Sequence, residues 1–107
     1  QAAFFFTDPK QIDIAAIQPK WDATKQAFFE QLVANYNSLP TIDAAILENN
    51  FKELASSLSL KPGELMLPFR IMLVGGKFGP GVFEIAHLIG KEATTKRIDY
   101  CLSLLKG

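Results

Sequence analysis

The residues equipped for chemistry are few and lie close together. Arg70 is the only arginine ahead of Arg97, and five positions after it begins Gly75-Gly76-Lys77-Phe78-Gly79-Pro80-Gly81, four glycines and a proline among seven residues. A guanidinium offers N–H donors in a planar fork and no acceptor. A stretch so poor in side chains leaves main-chain N–H and C=O groups open, which suits close contact with a flat or phosphate-bearing ligand. Pro80 is expected to open a helix, because its missing N–H has no partner to lose at the first helical position, with Gly79 as N-cap. The N–H groups of Gly81, Val82 and Phe83 then point out of a helix start as donors to phosphate or base oxygens.

Other reactive side chains are isolated. The chain has one histidine, His87, and one cysteine, Cys101, and no paired-carboxylate, metal-ligand or nucleophile–base pattern that could carry hydrolysis or group transfer. His87 is expected to be packed in a buried helix with a backbone partner, and Cys101 to be a small core residue. A lone cysteine forms no internal disulfide, and no apolar run reaches the length of a membrane span, which together point to the cytosol. Eleven basic residues balance eleven acidic ones, so no long-range field draws in polyanions. That disfavours a free-standing, non-specific RNA binder. The chain begins at Gln1 inside an apolar run, as a piece of a longer protein would.

The elements that must position these residues are helical. The 107 residues, 49% hydrophobic and 21% charged, make one folded domain. Residues 1–18 read as an irregular connector and 19–107 as the domain. Trp21, Phe28, Phe29, Leu32, Val33 and Tyr36 form one 3.6-period stripe, stopped at Asn37-Ser38-Leu39-Pro40. Thr41 is expected to cap a second helix whose stripe is Ile42, Ala45, Ile46, Phe51, Leu54, Ala55 and Leu58. A third segment runs from Pro62 to Val74. Pro68 implies a kink there or a fresh helix start, and Gly75-Gly76 a left-handed C-cap. The fourth helix, Pro80 to Ile89, is apolar on more than one face and is expected to be the most buried. Gly90 breaks it, and residues 91–105 form a last helix with Ile98, Cys101, Leu102 and Leu105 inward. No strand pattern occurs, so the fold class is all-α, a compact array of about five short helices.

The order Leu65-Met66-Leu67-Pro68-Phe69-Arg70, Met72-Leu73-Val74-Gly75, Gly79-Pro80-Gly81-Val82-Phe83-Glu84-Ile85 and Leu88-Ile89-Gly90-Lys91-Glu92 resembles the C-terminal anticodon-binding domain of bacterial glutamyl-tRNA synthetases. The match in order and spacing runs over about forty residues. The resemblance implies a parent enzyme that ligates glutamate to tRNA(Glu), with ATP and Mg in an upstream catalytic domain, and no catalytic residue, metal or cofactor in this segment. It implies a cytoplasmic monomer whose residues 1–18 join a preceding helical domain. It places a base-contacting arginine at Arg70, and an anticodon-loop pocket at Gly79, Pro80, Gly81, Val82 and Phe83 made of main-chain groups and small apolar surfaces. Cytosine presents the acceptors O2 and N3, which a guanidinium can satisfy together. Threonines frequent in the family at the places of Gly79 and Val74 are missing, so main-chain contacts must replace any hydroxyl. Lys77, Lys91 and Arg97 are candidate phosphate contacts, with Phe78 a candidate for a base face. The alternative is a helical protein-interaction or scaffold domain without RNA contact, which would put Phe4–Phe6 and the glycine loop on one face.

Overall fold

Two aspartates start two of the longer helices. In the computed structural model, which describes residues 12–76 and 81–105, the Asp22 carboxylate accepts from Lys25 N–H at 2.9 Å and the Asp43 carboxylate from Ile46 N–H at 2.8 Å. Each satisfies a donor that a helix start leaves without a backbone partner. The elements are α1 (Ile14–Ile17), a 3₁₀ turn (Gln18–Lys20), α2 (Ala23–Ser38), α3 (Ala44–Ser57), α4 (Pro62–Val74) and α5 (Val82–Leu105). Among the described residues there is no strand. The all-α expectation stands.

Several local expectations are corrected. Thr41 does not cap the second helix; Asp43 does, two residues later. The described end of the 1–18 segment is not irregular, since Ile14–Ile17 make a helical turn and Ile17 is buried. On α3, Ala45 is exposed and Leu47 takes the inward place. Pro68 neither restarts nor ends its helix: α4 runs through it. The intrahelical bond that Pro68 cannot make would have gone to the carbonyl of Glu64, an exposed first-turn residue whose oxygen can reach water.

Gly75 ends α4 in the left-handed region, φ 87°, and returns its N–H to Ile71 O at 2.7 Å. At Gly90, φ 92° and ψ 163° lie in a region essentially reserved for glycine. This splits α5 into limbs 82–89 and 91–105, as the sequence suggested. The first limb is not the most buried part of the molecule, because Leu88 is 48% exposed and His87 is exposed as well. The most buried run is the end of α4, Phe69 together with Ile71 to Val74.

The core is aromatic. Phe51 of α3 sits 5.0 Å from Phe28, 6.5 Å from Phe29, 5.2 Å from Phe69 and 5.3 Å from Phe83, centroid to centroid. One ring therefore touches rings from α2, α4 and α5, and edge-to-face and offset pairs fix their mutual angles. Tyr36 adds a polar tie, donating its buried hydroxyl to Leu47 O at 2.9 Å. Burial raises the Tyr36 phenol well above its ordinary pKa.

Candidate nucleic-acid interface

Arg70 is half-buried on α4, five residues before Gly75 ends the helix. Its neighbour Phe69 packs on Phe83 at 5.9 Å, which sets the α4 turn carrying Arg70 beside the first turn of α5. The described ends of the glycine-rich stretch are Gly75-Gly76 after α4 and Gly81 ahead of α5; Gly75 is buried, with its N–H bonded to Ile71 O and its carbonyl accepting from Asp13 N–H. Lys77, Phe78, Gly79 and Pro80, with Phe4–Phe6, lie outside the described residues.

Gly81 carries the cap of α5, since its carbonyl accepts the first intrahelical bond, from Ile85 N–H at 3.0 Å. The helix therefore starts at Val82, later than a Gly79 cap would have it. The side chains of Val82 and Phe83 are 4% and 8% exposed. They face the core, and what this turn offers a ligand is main chain. Sequence reasoning passed over Glu84. A Cβ added to Gly81 would stand 3.9 Å from Glu84 Oε1, so the carboxylate leans over the helix start from the N3 position. An acid there complements the helix dipole and disfavours a second anion at the same N–H groups. The spacing of three between Gly81 and Glu84 was the available signal.

Two of the expected phosphate contacts are engaged inside the molecule. Arg97 is 3% exposed and donates from Nη1 to Leu73 O at 2.6 Å. The Lys91 ammonium donates to Leu39 O at 3.0 Å and to Asn37 O at 3.4 Å, capping the C-terminal end of α2, where carbonyls lack helical partners. Their charges serve the fold. His87 is exposed and not packed. Cys101 is buried as expected, and burial pushes its thiol up to about 12, leaving no thiolate at neutral pH. Among the described residues no three His, Cys, Asp or Glu side chains could share a metal ion, and no helix is long and apolar enough to cross a membrane.

The relatives agree with the all-α fold. Residues 1–102 match the anticodon binding domain family. The chain is 34% identical over 106 residues to a glutamate–tRNA ligase of Christiangramia forsetii, covering 99% of this chain and 21% of that protein. It is 31% identical over 105 residues to one of Syntrophobacter fumaroxidans, covering 98% and 22%. The crystal structure of a glutamate tRNA ligase from Elizabethkingia meningosepticum in complex with its amino acid superposes with a TM-score of 0.84 at 32% identity, over 96% of this chain and 20% of that one. The chain spans about a fifth of the length of these relatives, and the scaffold alternative is not favoured. With an all-α fold and a family match across nearly its whole length, this chain belongs to the anticodon binding domain family.

Proposed function

We propose that this domain reads the anticodon of a glutamate tRNA within a larger ligase. In that protein, glutamate is attached to the tRNA by a catalytic domain outside this chain, which would supply the ATP and Mg chemistry. Residues 1–18 would connect to a preceding helical domain, and the parent would act as a cytoplasmic monomer. The observation that supports the reading is the packing of Phe69 on Phe83, which brings the α4 turn carrying Arg70 toward the start of α5 that Gly81 caps.

Unstacked anticodon bases expose their Watson–Crick edges to such groups. Arg70 supplies paired donors for the O2 and N3 of a cytosine. The backbone at Gly79, Pro80, Gly81, Val82 and Phe83 serves a uridine, which needs one donor and one acceptor. The Glu84 carboxylate over the helix start makes this turn better matched to neutral base edges than to phosphate. Lys77 is assigned to phosphate.

Arg70→Ala in the full-length protein should weaken binding of the cognate anticodon stem-loop by about 1–3 kcal/mol, the scale of one good base contact. Stem-loops altered at the letter that Arg70 reads should lose much less. An equal loss on every letter variant rules out base reading by Arg70. Removing the Lys77 charge should lower affinity for all letters alike and flatten the salt dependence.

A further inference from the structure

Thr94 and Arg97 stand one turn apart on the second limb of α5, and with Thr95 they are the buried polar residues among those described. Each reaches a main-chain carbonyl outside its own limb. Thr94 Oγ1 donates to Ala86 O at 3.2 Å, in the last turn of the limb that Gly81 caps. Arg97 Nη1 donates to Leu73 O at 2.6 Å, in the last turn of α4. A turn of one helix therefore holds both elements that flank the glycine-rich stretch, one by a hydroxyl and one by a guanidinium.

A guanidinium is costly to bury, and an apolar side chain of similar size is often as stabilising. What arginine supplies and an apolar residue lacks is a directed bond to one carbonyl. Leu73 lies three residues after Arg70 and two before Gly75, so fixing its peptide fixes the turn that presents both. From the other side, Asp13 N–H bonds Gly75 O at 2.9 Å. Ala86 lies five residues after Gly81, within the short limb that Gly81 caps.

We propose that Thr94 and Arg97 are positioning residues: by tying Ala86 and Leu73 to one helical turn they set the spacing between the two described ends of the glycine-rich stretch, and so the discrimination between anticodon letters. This rests on the base-reading function proposed above. Neither side chain touches RNA.

The test uses the full-length protein with Thr94→Val, which keeps shape and removes the hydroxyl, and with Arg97→Met and Arg97→Lys. Hydrogen–deuterium exchange is followed on peptides containing Gly75 and Ile85, whose N–H groups close the two ends at 2.7 and 3.0 Å. A peptide containing Leu47, whose N–H bonds Asp43 O at 3.0 Å, is the reference. Thr94→Val should speed exchange at Ile85 and Arg97→Met at Gly75, each by about tenfold or more, as loss of a hydrogen bond implies, with Leu47 unchanged. Preference for the cognate stem-loop over a single-letter variant should fall by about tenfold in both. Arg97→Lys, which keeps a donor, should recover part of each loss.

Exchange that is unchanged, or faster by the same factor at all three peptides, overturns the proposal. So does locally faster exchange with letter preference intact. If the unaltered protein shows no letter preference, the base-reading function fails, and the positioning role falls with it. Preserved preference in the unaltered protein and in Thr94→Val and Arg97→Met alike sinks the positioning role and leaves base reading standing.

Discussion

The aromatic cluster around Phe51 and the glycine-rich junction between α4 and α5 are held in opposite ways. In the cluster, side chains meet side chains, and rings 5 to 6 Å apart exclude water without a polar contact. At the described ends of the junction the main chain is held by hydrogen bonds instead, Arg97 on Leu73 O and Asp13 N–H on Gly75 O. A surface meant to hydrogen-bond a ligand through its backbone cannot be filled with its own side chains. Its rigidity has to come from bonds made on the face the ligand never sees.

Breaking the cluster should have the largest effect. Phe51→Ala removes a ring shared by three other helices and should destabilise the domain by about 3–5 kcal/mol, read from thermal or urea unfolding with Trp21 fluorescence as probe. Gly90→Ala sharpens the contrast, because space is open around that position and the cost is purely conformational. Forcing an L side chain to φ 92° should cost about 1–3 kcal/mol, and an unchanged unfolding curve would show that the limb angle relaxes freely. Asp43→Ala, distant from both regions in sequence, should cost about 1 kcal/mol through its cap, while Asp43→Asn, which keeps an acceptor, should restore most of it.

The last effect, absent at neutral pH, is alkaline. Cys101 and Tyr36 both have folded pKa values raised by burial, so the unfolded chain releases these protons first. Their contribution is complete below the unfolded values, about 8.5 and about 10, and is lost as pH rises from there through the folded ones. Cys101→Val should therefore flatten the fall in stability between about pH 9 and 11. An identical alkaline slope would mean that the thiol does not titrate on unfolding in that window.

Much of the fold was legible because helical stripes report burial directly. The α2 stripe, the Gly75 cap and the Gly90 break all follow from residue type and spacing. The α3 start was misplaced because Thr41 and Asp43 are both cap formers two residues apart, and only the position of Ile46 N–H chooses between them. His87 and Arg97 were misjudged for a common reason. Residue chemistry overruled spacing: positions 84, 87 and 88 share an outer face, whereas 94, 97, 98, 101, 102 and 105 make one inward stripe that happens to include an arginine. The elements flanking the interface could be named from the sequence. The bonds that hold them, such as Lys91 reaching Leu39 across more than fifty residues, are tertiary and leave no local trace.

The bond from Asp13 N–H to Gly75 O joins the earliest described part of the chain to the residue that reverses α4. A torque on the polypeptide ahead of Ile14 therefore loads that carbonyl directly and tilts the peptide plane it shares with Gly76 N–H. Whatever reorients the entering chain also re-aims a donor at the junction.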